Sequence, residues 1–248
     1  MSVSKQRTNE LGQPIGIDLA DWSIPASVRV ESVEGKYLML EHLREVHTDE
    51  LFEAFSTADD IADWTYLPYG PFKTASDLQV WVKQLAASDD PWMFALIDIA
   101  TGKACGVASY LRINPESGSI EVGHIHFSPL VQKTPAATEA MFLMADHAFN
   151  AGFRRYEWKC DALNAPSKSA AQRLGFTFEG IFRQATVYKG RNRDTAWFAI
   201  TDGEWSRLRA AYQQWLSDAN FNADGGQKES LSKLTSDALK ADTSLVSF

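Results

Sequence analysis

Ser128-Pro129-Leu130-Val131-Gln132-Lys133-Thr134-Pro135-Ala136-Ala137-Thr138-Glu139-Ala140 is the stretch whose reading decides the architecture. The run before it, Ser119–Phe127, is apolar and β-branched enough to form a strand. Thr134 stands where a helix N-cap belongs. Pro135 occupies the first helical position, where a missing N–H costs nothing. The order is therefore strand, loop, helix, with the helix running from Pro135 to about Phe149. Its first turn is made of small residues, so a ligand could approach the backbone closely. The unpaired amides of a helix start, at the positive end of its dipole, suit an anion, and Thr138 would add a hydroxyl donor. The same small residues also suit a helix packed on a sheet, and spacing alone leaves both readings open.

Working towards the N-terminus, Ala104–Ile113 and Trp92–Ile97 read as two more strands. Their turns, Ala100-Thr101-Gly102 and Asn114-Pro115-Glu116-Ser117-Gly118, predict an antiparallel meander. A helix carrying Leu78, Val82 and Leu85 on one face precedes them, capped by Thr74 or Ser76. Before it come an aromatic loop, Trp64 to Phe72, a helix over Asp49–Phe55 and a strand over Tyr37–Leu43. Towards the C-terminus the pattern gives a short strand Tyr156–Cys160 and a helix Ala165–Leu174 that stops at Gly175. Strands Phe176–Tyr188 and Asp194–Ile200 then flank a turn at Lys189-Gly190-Arg191-Asn192, and a Trp-bearing helix, Asp202–Leu216, closes the domain.

The flanks differ from this core. Residues 1–35 read as a leader, broken by Gly12, Pro14, Gly16 and Pro25, with Ile15, Ile17, Trp22 and Ile24 as its anchors. Residues 218–248 read as a polar tail in which Leu231, Leu234 and Leu239 allow one short helix. The intervening 36–217 is one mixed α/β domain.

The 248 residues carry 45% hydrophobic and 23% charged side chains, ample for a packed core. The net charge of −8 excludes nucleic acid or an anionic membrane as a partner held through overall charge. Only the segment Arg154–Arg193 is basic, at +6 against −14 elsewhere, which suits a small polyanion or simply a set of solvated charges. Two cysteines, Cys105 and Cys160, supply neither a disulfide framework nor a four-ligand zinc site. No basic-then-apolar signal and no apolar run approaching about 18 residues is visible. A cytoplasmic protein is the expectation.

The 128–140 stretch resembles the acetyl-CoA-binding motif of the GCN5-related N-acetyltransferase (GNAT) superfamily, Gln/Arg-x-x-Gly-x-Gly/Ala. Gln132 and Ala137 fit it, and Pro135 stands where the family has Gly. Asn164-Ala165-Pro166-Ser167, Arg173-Leu174-Gly175-Phe176 and Phe178-Glu179-Gly180 resemble the signature of the RimJ/RimL-like branch. The resemblance covers roughly 36–205. It implies a mixed, mostly antiparallel central sheet flanked by helices and splayed between the fourth and fifth strands. It also implies acetyl-CoA as donor and an amine-bearing acceptor. The acceptor is a small amine or aminoacyl compound or a protein N-terminus, and attack is direct, in a ternary complex. A catalytically silent acyl-CoA-binding module is the alternative.

By the same resemblance, Phe127 and Ser128 hold the thioester carbonyl. Gln132, Lys133, Thr134, Ala136, Ala137 and Thr138 hold the pyrophosphate, and Asn164 holds the pantetheine arm. Because Pro135 has no N–H, the amides of Ala136, Ala137 and Thr138 carry that contact. Ser167 is the candidate for stabilising the leaving thiolate, since Ala165–Leu174 contains no Tyr. The branch's candidate base, a Glu after Gln-Ala, is Thr186 here. His126, with an imidazole's pKa, ranks first as a substitute and Glu121 second. His124 and His126 share one strand face and Glu121 takes the other, unless a bulge re-aims one of them. No metal is expected, because these histidines have no third ligand. Trp64, Tyr66 and Tyr69 either pin their loop to the core or stack on the acceptor, with pinning favoured. Asp63 and Glu41 are further partners for an ammonium. The leader and the Trp205/Trp215 helix suggest extra packing or a homodimer contact.

Overall fold

Residues 7–56 and 61–240 are described by a computed structural model. Two two-residue strands, β1 (Arg7–Thr8) and β2 (Pro14–Ile15), form a hairpin in the leader. The main sheet then begins with β3 (Ser32–Glu34) and β4 (Leu38–His42), followed by α1 (Thr48–Ser56) and α2 (Ala75–Ala86). The meander is β5 (Trp92–Asp98), β6 (Ala104–Asn114) and β7 (Ser119–Phe127). After α3 (Pro135–Asn150) come β8 (Arg155–Asp161), α4 (Ala165–Arg173), β9 (Thr177–Tyr188) and β10 (Arg191–Thr201). Helices α5 (Asp202–Leu216) and α6 (Leu231–Lys240) finish the described chain.

The eight-stranded sheet has the order β3-β4-β5-β6-β7-β8-β10-β9. Every neighbouring pair is antiparallel except β7 and β8, which α3 connects in parallel. A parallel pair needs a crossover, and the Thr134-Pro135 start supplies it. Local chemistry ends the elements as their residues dictate. Thr74 caps α2 in a reciprocal box, its hydroxyl accepting from the Asp77 amide at 3.1 Å while Asp77 accepts from the Thr74 amide. Gly175 takes φ +89° after α4, where a Cβ would strike Leu208.

Each face of the sheet buries its own core. One packs Phe94, Tyr110, Tyr156, Trp158 and Phe198 against α3, α4 and α5. The other packs Met93, Ala95 and Val107 against Leu51, Phe55, Trp64, Leu78 and Val82 from α1, the aromatic loop and α2. Trp205 and Trp215 are turned inward. Trp205 stacks on Phe149 at 4.9 Å and Trp215 packs edge-on against Phe221, so the extra-packing reading of this helix is the one its geometry displays.

One flank differs from the sequence reading and the other follows it. Of the four leader anchors, Ile15, Ile17 and Ile24 are exposed, and only Trp22 reaches the domain, donating to the Gly152 carbonyl. Val28, fully buried, is the true apolar anchor, and β3 adds backbone pairing. The expected tail helix forms as α6, with Leu231 and Leu234 inside the main core.

Glu139 ties α3 to the start of β4. Its buried carboxylate accepts from the amides of Lys36, Tyr37 and Leu38 at 2.8, 2.7 and 3.1 Å. Gly35 leaves room for it, since a Cβ there would lie 2.6 Å from Oε2. Replacing Glu139 by Ala orphans buried donors, each costing about 1–3 kcal/mol. The expected loss is ~3 kcal/mol, read as a lower denaturation midpoint with an unchanged slope.

Candidate active site

The site begins where β7 and β8 part. Their pairing runs from Ser119↔Arg155 to Val122↔Trp158 and stops, leaving Gly123–Phe127 and Lys159–Asp161 diverging. Counted from β4, these are the fourth and fifth strands. The last rungs place Glu121 beside Glu157, two buried carboxylates on adjacent strands. Lys159 answers both, its Nζ 2.9 Å from Glu121 and 2.6 Å from Glu157, while lying 3.7 Å from the centre of the Trp197 ring. Arg112 adds a 2.7 Å bond to Glu121, and Arg155 one of 2.6 Å to Glu157. Burial pushes the Glu157 carboxyl up, but its bonds to Lys159 and Arg155 outweigh that and hold it below the usual range.

A bulge re-aims β7 just beyond this point. Ser109 pairs with Gly123 and Val107 with His126, so two residues, His124 and Ile125, face the single Ala108. His124 takes φ +50°, an uncommon conformation for a side-chain-bearing residue. The extra residue changes the alternation, and Glu121 now shares the face of His126. The His126 ring lies 3.9 Å from Trp64 and 4.6 Å from Phe55, closed in by apolar rings. Burial pulls it down to about 4, opposed by Asp63. His124 bonds Tyr69 Oη through Nδ1 at 3.0 Å.

The β7 bank of the opening carries the loop into α3. Gln132 braces it, donating to the Phe127 carbonyl at 2.8 Å and to Asp63 at 3.0 Å. Lys133, exposed at φ +62°, turns the chain into the helix. The Thr134 hydroxyl donates to the Val131 carbonyl and makes no cap bond, so the Ala136 and Ala137 amides have no side-chain acceptor. Ala136 is half-buried, whereas Ala137 and Thr138 are buried. The Thr138 hydroxyl accepts from Arg173 at 3.2 and 3.3 Å. The Ser128 hydroxyl is sealed in without a partner, while its amide bonds the Cys105 carbonyl. An orphaned buried hydroxyl and uncapped helix amides on one bank fit a polar, anionic ligand.

On the β8 bank, Asn164 caps α4, accepting from the Ser167 amide at 3.1 Å. Ser167 Oγ accepts from Trp158 Nε1 at 3.0 Å and has its own proton to donate. The twelve candidate residues thus fall into three groups. The α3 entry and Asn164–Ser167 occupy opposite banks, and Glu121 and His126 lie on the face towards the aromatic loop.

That loop is tied across the opening. Lys189, at the β9–β10 turn, donates to the carbonyls of Trp64 (2.8 Å) and Gly70 (3.0 Å), Arg191 to that of Thr65, and Tyr66 to that of Leu163. Trp64 is buried against Phe55 and Phe72, and Tyr69 packs on Trp81, so these aromatics pin their loop. Asp63 is engaged by Gln132, and Glu41 by Arg44. Lys159, Lys189 and the Tyr69–His124 pair were missed by sequence reasoning, whose one pointer to the two lysines was the basic segment. Among the described residues no cluster of three metal-ligating side chains forms, and no helix is long and apolar enough to cross a membrane.

A parallel strand pair opening beside an uncapped helix start is the geometry of this site, and the comparisons give the family. Residues 37–177 match the Acetyltransferase (GNAT) domain, and the chain belongs to the GCN5-related N-acetyltransferase family. A GCN5-related N-acetyltransferase from Brucella melitensis is similar at 46% identity, with TM-score 0.84, covering 88% of this chain and all of that one. A probable GNAT-family acetyltransferase from Chromobacterium violaceum shares 39% identity, with TM-score 0.73, over 78% of this chain and 97% of its own. An uncharacterized N-acetyltransferase, p20, from Bacillus licheniformis is 23% identical over 182 residues, 71% of this chain and 99% of that protein.

The neutral, enclosed His126 has a consequence for pH. Its value falls from 6.5 unfolded to about 4 folded, so the unfolded chain binds the extra proton. Stability is full above 6.5 and declines as pH drops towards 4, by ~3 kcal/mol for this group. His126→Phe, which keeps the ring packing, is expected to lessen the fall in melting temperature between pH 6.5 and 4, the similarly lowered His124 contributing part of what remains.

Proposed function

We propose that this N-acetyltransferase uses acetyl-CoA and moves the acetyl group to a primary amine by direct attack in a ternary complex. The observation that carries the reading is the opening between β7 and β8 beside the uncapped start of α3. Acetyl-CoA supplies an activated acyl group as a thioester. The amides of Ala136 and Ala137, with that of Thr138, face its pyrophosphate at the positive end of α3. Pro135 contributes no donor, and the exposed Lys133 adds charge. Gln132 and Thr134 shape the turn that presents these amides, their side chains being engaged at Phe127 and Val131. Phe127 and Ser128 line the edge from which β8 has withdrawn, and Asn164 faces the pantetheine amides from the other bank.

Ser167 stabilises the departing thiolate by donating a hydrogen bond to it. Trp158 occupies its lone pair, which leaves the O–H to point at sulfur. Removal of the amine's proton falls to the β7 side, where His126 and Glu121 are the proposed acceptors. Glu121 is already engaged by Lys159 and Arg112, so His126 is ranked first of the two.

The acceptor is a small amine, an aminoacyl compound or a protein N-terminus. Two solved structures of the same fold accompany this range. One, 19% identical with TM-score 0.59, is the microcin C7 self-immunity acetyltransferase in complex with acetyl-CoA and AMP. The other, 21% identical with TM-score 0.58, is RimL, a ribosomal L7/L12 alpha-N-protein acetyltransferase. Both cysteines are free and buried, which agrees with a reducing, cytoplasmic setting.

CoA and acetyl-CoA are expected to raise the melting temperature, and thiol release over a panel of amines to reveal the acceptor. Ala136→Glu puts a carboxylate at the helix start and is expected to weaken CoA binding at least about tenfold. A wild type that neither binds CoA nor releases thiol would overturn the reading.

A further inference from the structure

The two histidines of β7 differ in what fixes them. Among the described residues His126 is held by ring packing. His124 is aimed by the bulge, and its imidazole lies parallel to the Tyr69 ring, 8° apart with centroids at 5.6 Å, with Nδ1 3.0 Å from Oη. Hydrogen-bond accounting sets the direction of that bond. Tyr69 is enclosed by Trp64, Phe72 and Trp81, and among the described residues His124 is the partner its hydroxyl has. A phenol O–H left without an acceptor there would cost about 1–3 kcal/mol, so Tyr69 donates to Nδ1. Burial pushes the Tyr69 hydroxyl up and keeps it protonated. Burial, then the Arg112 guanidinium, pulls His124 down to about 4, with Asp90 opposing in part. A neutral imidazole that accepts at Nδ1 carries its proton on Nε2. That nitrogen has no partner among the described residues and is not sealed from solvent. It belongs to the second residue past the last β7–β8 rung, Val122↔Trp158, at the mouth of the opening.

We propose that His124, oriented by Tyr69, presents a fixed N–H donor at this mouth and selects acceptors that carry a carbonyl oxygen beside the amine. His124 is the specificity-determining residue and Tyr69 its positioning residue. A donor N–H next to Arg112 repels the acceptor's ammonium and attracts its carbonyl oxygen. The two ends of an aminoacyl or peptidyl amine are thereby told apart, and a plain alkylamine gains nothing from the contact. The inference rests on the acetyl-transfer reading above.

Histidine-selective nitrogen NMR on the full chain tests the donor without turnover. The expected His124 signal shows the proton on Nε2 from pH 5 to 8, and Tyr69→Phe mixes the tautomers. A proton on Nδ1 in the wild type would overturn the proposal. Acceptor selection is read with glycinamide against propylamine. His124→Gly keeps the left-handed backbone while removing the ring. It is expected to lower kcat/KM about tenfold for glycinamide, the worth of one hydrogen bond, and by less than twofold for propylamine. His124→Asn, which tolerates the same backbone and restores an N–H, is expected to recover part of the loss. Equal losses on both amines, or none on either, would sink the selection. A wild type that acetylates no amine would instead bring down the transfer reading, and selection with it, and the tautomer would still judge the donor.

Discussion

Two carboxylates side by side on adjacent strands repel, and one buried ammonium makes their proximity tolerable. Lys159 reaches Glu121 and Glu157 across the last rungs of the only parallel pairing in the described sheet, and Trp197 supports it from below with its ring face. Breaking such a pair by losing one partner strands the other charge, at a cost of roughly 3–5 kcal/mol. The pairing therefore ends at a fixed place. Beyond it the strands owe each other no backbone bonds, and the gap that receives chemistry is open.

The elements around that gap are each held by something remote from it. Glu139 anchors α3 to the start of β4, which fixes the start of the helix beside the opening. Arg173 on α4 bonds Thr138 on α3, and its own carbonyl accepts from Thr235 on α6. The two banks and the C-terminal helix are thus joined through a single arginine. On the other face, the β9–β10 turn holds the aromatic loop by three backbone carbonyls, so the roof is fixed to the sheet at both ends.

Much of this was legible in the chain. Thr134-Pro135, the Gly-bearing turns and the alternating strands gave the order of elements, because caps, turns and periodicity are local properties. The α3 entry and Asn164–Ser167 were legible for the same reason, and a motif spacing supported each. The bulge at His124 was not, since nothing in Val122-Gly123-His124-Ile125-His126 says which residue will be left unpaired by β6. The Tyr69–His124 contact joins residues 55 apart and depends on that bulge. Lys159 looked like one more charge in a basic segment, because its partners are set by strand order. In the leader, hydrophobicity pointed to three isoleucines and Trp22, whereas contact with the domain kept Trp22 and added Val28.

Among the described residues, five other than glycine, Arg112, His124, Lys133, Gln184 and Lys189, sit in left-handed backbone conformations. Arg112 holds Glu121, His124 holds Tyr69, Lys133 opens α3 and Lys189 ties down the roof. Any of them would rest more comfortably as glycine. Three of these side chains hold a contact that glycine could not make, so the backbone strain at those positions is offset by what the side chain ties together. Relaxing the backbone at Arg112 or Lys189 with glycine would therefore take a partner from the buried Glu121 or loosen the roof, so the strain and the groove come as one feature.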